Sequence, residues 1–377
     1  MKLSGIRVID LSVFLPGPYL TQTLADHGAE VIKVEAPGEG DPVRHLGLSD
    51  GPSTVYFRSL NRGKKSVVLN LKDATDREAL LALCDTADVF VESFRPGVVD
   101  RLGVGYPQLR ARNPRIVYCS ISAFGQSGPN RDRPSHDLGV EAESGVLSMT
   151  LGRDGQPAIP GIPVADMVSA LQGLAGVLMA LLRREKSGEG DYIDIAMHDA
   201  MVSAIPNILG PTLAENRQPV AKHERTTGGS AFYQIYDTSD GRHIVLSGQE
   251  MKFVRNLLGA LGRSDLAALC AKPGPHQRPV EEFLRETFVR KTRDEWVAWL
   301  SQLDVCFGAV NTLPEALADE HLKSRGMVLT DALGRRHLGP PIRFRCEPAH
   351  PNLQEPALGA HGEELLGPLR AAGVDRA

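Results

Sequence analysis

The sequence predicts an α/β protein built on a parallel sheet, followed by a smaller α+β domain. Three observations carry this prediction. Strand signals alternate with helical ones through the first 125 residues. The loops expected at the carboxyl ends of those strands are rich in Gly, Pro and Ser. Near residue 225 the texture changes to a hairpin followed by helices.

In order, Ile6–Leu11 is a β-branched run stopped by Pro16-Gly17-Pro18, and Tyr19–His27 has helical spacing ending at Gly28. Glu30–Glu35 and Ser66–Leu71 read as strands. Asp76–Ala87 is an amphipathic helix, and Asp88–Glu92 and Ile116–Ile121 complete the series. A sheet of this kind binds its ligand beyond the carboxyl ends of its strands, here the loops Phe14–Pro18, Ser93–Gly97 and Ser122–Pro129. No G-x-G-x-x-G follows the first strand, which argues against a dinucleotide enzyme. Asp166–Arg184 is the strongest helix, and a strand Tyr192–Ile195 follows. Ala231–Tyr236 and His243–Ser247 form the hairpin, then come helices Phe253–Leu261, Val280–Phe288 and Thr292–Leu303 and a strand Cys306–Asn311. The tail from Pro340 reads as an extended wrap. The large domain is assigned to 1–215, completed by 330–377, and the small one to 225–328.

Hydrophobic residues make up 42% and charged residues 23% of 377, near the globular average. A net charge of −4 gives no basic footprint, so nucleic acid is not an expected partner. No apolar run suggests a membrane span, and Met167–Leu182 reads as a buried core helix. The opening residues do not read as a signal peptide, and the expected compartment is the cytoplasm. Five scattered cysteines read as small buried hydrophobes, with no metal-ligand spacing.

Four features bear chemistry. His136 stands at a helix start, where a lowered pKa suits a general base; Ser135 or Asp137 as a plain cap is the alternative. Asp166 lies between two apolar runs, where desolvation raises a carboxyl pKa; it is also a capping residue type. Glu250 begins a helix after the hairpin. Asn61-Arg-Gly-Lys-Lys-Ser66, with Lys72, Arg95 and Arg101, is suited to phosphates or to a solvated basic face.

At these residues the chain resembles the class III CoA-transferase (CaiB/BaiF) family, which includes the α-methylacyl-CoA racemases. The likeness rests on G-I-R-V-I-D-L-S, E-V-I-K-V-E with Gly40-Asp41, N-R-G-K-K-S-V-V-L-N-L-K, V-E-S-F-R-P-G, S-A-F-G-Q-S-G-P, P-V-A-D-M at Asp166, and the Y-x-T-x-D-G-R hairpin. It implies a Rossmann-like large domain, a smaller domain, an interlocked homodimer, and an acyl-CoA substrate with no permanently bound cofactor. It also implies CoA contacts at Leu69, Lys72, Phe94, Arg95 and Arg101. Ala36 replaces the arginine that meets adenine in many members, and Arg44 is the expected substitute. Asp166, His136 and Glu250 together match the racemase set, in which two bases flank the α-carbon and Glu250 orients His136. Racemisation of a 2-methylacyl-CoA is therefore the expected reaction. The alternative is a CoA-transferase in which Asp166 is the nucleophile. P-V-A-D-M, without the glycine run of many racemases, favours that alternative.

Overall fold

The computed structural model describes residues 1–374. They divide into two units, each with its own core. Unit 1 comprises Met1–Ser144, Gly161–Ala204 and the chain from Glu320 onward. Unit 2 comprises Gly145–Pro160 and Ile205–Asp319. The segment 145–160, assigned from sequence to the large domain, packs with unit 2, and the return to unit 1 comes at Glu320 rather than at 330.

Unit 1 holds a six-stranded parallel sheet. Its strands are β1 (Arg7–Asp10), β2 (Glu30–Glu35), β3 (Lys65–Val68), β4 (Val89–Glu92), β5 (Val117–Ser122) and β6 (Tyr192–Ala196). Their order is β3-β2-β1-β4-β5-β6. The sequence reverses direction between β1 and β4, and that crevice is where such sheets bind ligands. β4 and β5 are buried along their whole length, which is why they read as continuous apolar runs rather than alternating ones.

The helices are α1 (Pro16–Asp26), α2 (Val55–Asn61), α3 (Ala74–Cys84), α4 (Val98–Arg101), α5 (Tyr106–Arg112), α6 (Asp137–Glu143), α7 (Val164–Ser187) and α8 (Met197–Ser203). Local chemistry sets their ends. Pro16 opens α1. Thr54 accepts the Phe57 N–H at 3.0 Å to cap α2, and Asp73 accepts from Thr75 and Asp76 to cap α3. Gly188, at φ 76°, stops α7. α7 lies against α1, β5 and β6 through Ala165, Ala170, Gly173, Leu174 and Val177. A Cβ on Gly173 would come within 2.8 Å of the end of the Leu20 side chain, so α1 and α7 approach closely there and a larger residue would have to displace Leu20.

α7 is long and apolar enough to cross a membrane by length and composition. Its sheet-facing side is core, but Leu171, Leu178, Met179 and Leu182 are 40–71% exposed. The sequence reading of a wholly buried core helix therefore holds for one face only.

A hairpin, Val328–Thr330 with Arg336–Leu338, precedes the tail, and the tail is not only an extended wrap, since it ends in a helix, Gly362–Val374. Leu366 of that helix is 2% exposed and joins the core beside β3 and α3. Cys84, Cys119 and Cys270 are buried as expected, whereas Cys346 is exposed.

Unit 2 contains an antiparallel sheet of Gln234–Asp237, His243–Leu246 and Phe307–Ala309. Helices Met251–Ala260, Arg278–Phe288 and Arg293–Leu300 pack around Tyr236, Leu257, Phe288 and Trp296. The polar ends of the buried aromatics are satisfied. Trp296 Nε1 donates to the Phe288 carbonyl at 2.7 Å, and the Tyr236 hydroxyl donates to Ala231 at 2.6 Å.

Candidate active site

The β1–β4 crevice is organised by charges buried beneath it. Lys64 Nζ is fully buried and donates to Asp10 at 3.0 Å, Thr21 Oγ1 at 2.8 Å, Asn61 Oδ1 at 2.9 Å and the Pro18 carbonyl at 3.1 Å. Burial alone would raise the Asp10 pKa, but Lys64, Lys33 and hydrogen bonds from Ser12 and Thr21 hold it at about 2. Burial, and then Lys33, lowers Lys64 to about 8, which leaves it charged at neutral pH. Lys33 pairs with Asp41 at 2.7 Å and donates to the Ser12 carbonyl at 2.9 Å.

These contacts pin the loop after β1. Val13 N–H reaches Ser93 Oγ across the crevice at 3.2 Å. Phe14 is held at φ 63°, a left-handed conformation that costs a non-glycine residue energy and persists only where its surroundings enforce it. Its ring meets that of His136 edge-on, with centroids 6.2 Å apart.

The basic stretch has neither of the roles considered for it. Arg62 is buried on Asp26 at 2.6 Å, Lys64 is in the network above, and Lys65 bridges Glu30 at 2.8 Å and Glu364 at 2.5 Å. All three charges are spent on internal pairs. Arg44 likewise cannot take the place of the adenine-contacting arginine. It is 8% exposed, grips Glu35 through two bonds of 2.7 Å, and lies 3.8 Å over the Phe57 ring. Composition could not reveal this, because a cation's availability depends on which carboxylates the fold brings to it.

The CoA residues implied by resemblance lie just beyond β3 and β4. Lys72, Arg95 and Arg101 are exposed. Phe94 is half-buried, and its N–H donates to Glu92 at 2.8 Å. Glu92 is buried, and its carboxyl is pushed up to about 7 by that burial. Leu69 is 2% exposed and belongs to the core, so its side chain is not free to meet a ligand.

Asp166 occupies the third residue of α7 and is half-buried. It is not the cap; Pro163 holds that position. Its N–H donates to Asp137 Oδ1 at 3.1 Å, so the starts of α6 and α7 meet. One turn further along α6, Glu141 is fully buried and accepts the Val164 N–H at 3.2 Å. Burial first, then the negative charges of Asp137 and Glu141, push the Asp166 carboxyl up to about 7. The phenol of Tyr56 is raised in turn by burial and by Asp166.

At the start of α7 three amides are engaged: Val164 by Glu141, Asp166 by Asp137, and Met167 by the Pro163 carbonyl at 3.1 Å. In the Gly125–Gly128 loop, Gln126 N–H is taken by both oxygens of Asp194.

His136 is the N-cap of α6 through its extended backbone; its ring makes no capping bond and is exposed. Glu250 belongs to unit 2, exposed at the N-cap of Met251–Ala260. A cavity of about 1030 Å³ also lies in unit 2, between Arg153, Lys222, Tyr233 and Arg278, and its lining includes none of the residues predicted for chemistry. A smaller one of about 260 Å³ opens in unit 1 at the Ser122–Pro129 loop.

Sequence reasoning missed Glu141 and Tyr56. Asp137 and Glu141 are spaced i, i+4 on a helix, which places them on one face; that spacing was the available signal. Nothing local marks Tyr56.

Comparison with known proteins bears on the family and the fold. The family model for CoA-transferase family III matches residues 3–362. Succinyl-CoA:glutarate CoA-transferase of Mus musculus is 31% identical over 97% of this chain and 85% of its own. Succinyl-CoA:mesaconate CoA-transferase of Haloarcula hispanica is 35% identical over 97% and 95%. The crystal structure of a CaiB/BaiF family protein from Brucella suis superposes with a TM-score of 0.83 at 32% identity, covering 98% of each chain.

Proposed function

The chain belongs to CoA-transferase family III, and we propose that it moves coenzyme A between two carboxylic acids through intermediates on Asp166. This replaces racemisation as the preferred reading, because the named relatives are transferases. The observation that carries it is the desolvated Asp166 carboxyl at the start of α7, raised to about 7 and therefore unusually basic for a carboxylate.

The steps balance without a proton. An Asp166 oxygen attacks the donor thioester carbonyl, the C–S bond breaks, and CoA leaves as thiolate. The resulting mixed anhydride is attacked by that thiolate at the Asp166 carbonyl, releasing the donor acid and leaving an aspartyl-CoA thioester. The acceptor carboxylate attacks this thioester, and the thiolate then takes the acceptor's acyl group. Each nucleophile attacks in its anionic form, so no step requires a general base. His136 and Glu250, required for two-base racemisation, have no obligatory step here.

Lys72, Arg95 and Arg101 are proposed to hold the CoA phosphates, and Phe94 to pack against the cofactor's apolar surface. Short dicarboxylic acids, which appear in the relatives' names, form the first substrate panel. Incubation with an acyl-CoA is expected to yield an Asp166 peptide carrying CoA, cleaved by hydroxylamine and read by mass spectrometry. An unmodified peptide under turnover would defeat the proposal. In heavy water a 2-methylacyl-CoA is expected to keep its α-hydrogen; deuterium wash-in would restore the racemase reading.

The interlocked homodimer implied by family resemblance is part of this proposal. It gives the exposed stripe of Leu171, Leu178, Met179 and Leu182 a cover. Glutamate at both Met179 and Leu182 is expected to convert a dimer into monomer or aggregate in sedimentation analysis. An unchanged mass would move the interface elsewhere.

A further inference from the structure

Glu92 closes β4, a strand of sequence Val-Phe-Val-Glu that is buried along its whole length, and is itself 2% exposed. A carboxyl there is costly to desolvate, and an apolar residue would complete the strand without that cost. The transferase chemistry gives Glu92 no step. Its bonds serve the loop that follows. Pairing of β4 with β5 ends at Glu92, so the Phe94 N–H lies beyond the ladder and needs another acceptor. Glu92 Oε2 accepts it at 2.8 Å, folding back over two residues. Ser93 Oγ accepts the Val13 N–H at 3.2 Å, and the Arg95 carbonyl accepts the Val98 N–H at 3.2 Å. Gly97 turns the chain at φ 77°, where a Cβ would lie 3.2 Å from Arg101 Nη1.

The strand register holds Glu92 in place. Ser120 stands opposite it on β5, and Asp194 stands opposite Ser120 on β6. Residues in register present their side chains to the same face of a sheet, so the three form a polar row at the carboxyl ends of the strands. Gln126 spans part of that row. Its Nε2 donates to Ser120 Oγ at 2.8 Å, and its N–H donates to the Asp194 oxygens at 3.0 and 3.1 Å. The loops Ser93–Gly97 and Ser122–Pro129 are thus tied to neighbouring members of one row.

We propose that Glu92 is a positioning residue for coenzyme A, whose carboxyl holds the turn after β4 so that Phe94, Arg95 and Arg101 are in place before the thioester arrives. This deepens the transferase reading and rests on its assignment of those three residues to CoA. The role needs an accepting oxygen and no charge, so the acid and the carboxylate serve it alike. A loop ordered in advance spares binding the cost of ordering it.

Binding of free CoA, measured by calorimetry, reads the effect without any transfer. Glu92→Leu keeps the volume and deletes the acceptor. It is expected to weaken CoA roughly tenfold and to raise KM for an acyl-CoA in step, with kcat within about twofold of wild type. Glu92→Gln, which keeps an oxygen in the same place, should bind CoA within about twofold of wild type. Wild-type affinity in a folded Glu92→Leu overturns the proposal. So does an equal loss in both variants, or a fall in kcat with KM unchanged. The wild type supplies a test that needs no variant. In the CoA-free protein the Phe94 amide is expected to exchange slowly with heavy water, and exchange at the rate of an open loop overturns the proposal. Arg95→Ala and Arg101→Ala separate this inference from the reading beneath it. If neither weakens CoA, the assignment of the CoA phosphates fails and this proposal fails with it. If both do while Glu92→Leu does not, the role of Glu92 alone is refuted.

Discussion

Asp166→Asn is expected to abolish CoA transfer by a factor on the order of 10⁴, while making the protein more stable at alkaline pH. The amide preserves shape but offers no carboxylate to attack a thioester. The stability effect follows from linkage. The Asp166 carboxyl has an ordinary value of 3.8 and is raised to about 7 in the fold by burial, Asp137 and Glu141. Between those values the folded state holds a proton that the unfolded chain releases, so stability falls as pH rises through the window. Above about 7 the wild type carries a poorly solvated charge that asparagine lacks. Thermal melts should therefore show a gain in Tm for the variant near pH 8 that shrinks toward pH 4. Equal melting at both ends would show that Asp166 is not desolvated. In the wild type, kcat/KM should rise with pH through about 7, as the nucleophile ionises.

Lys64→Met should be among the most destabilising single changes outside the hydrophobic core, costing about 3–5 kcal/mol. Methionine fills the volume, but it strips Asp10, Thr21, Asn61 and the Pro18 carbonyl of their shared donor. Asp10 would remain buried with Lys33 as its remaining cation. Urea titration measures the loss, and Asp10→Asn in the same chain should recover part of it by removing the stranded charge. The pH dependence has a definite sign. The Asp10 pKa is depressed from 3.8 to about 2, so its contribution is present above the unfolded value and fades as pH falls through the folded one. The gap between wild type and variant should narrow across that window. A gap constant in pH would mean that packing rather than charge sets the cost.

The strand ladder of unit 1 was legible because β-branched runs are bounded by Pro, Gly and helical periods. Glu30–Glu35 was read to the residue, and the other five strands to within a few. The return of the tail as helix Gly362–Val374 was not, since the proline-rich stretch before it conceals a short amphipathic segment that needs the core beside α3 to fold against. Cations were the least legible feature. Lys64 and Arg44 look like ligand-binding residues in a linear reading, yet each is closed off by a carboxylate from another strand or loop.

Asp166 is a candidate from the sequence alone, because an aspartate between two apolar runs is costly to bury without partners. The parallel sheet, its crevice and the absence of a dinucleotide loop are likewise written in local patterns of polarity and turn residues. What surrounds Asp166 was decided only by tertiary structure. The meeting of α6 and α7 puts Asp137 and Glu141 against it, and the strained Phe14 loop is held from below by Lys33 and Asp41. Periodicity and turn chemistry act over a few residues and can be read along the chain. Charge, proton position and strain depend on partners from distant segments, and those exist only once the chain has folded.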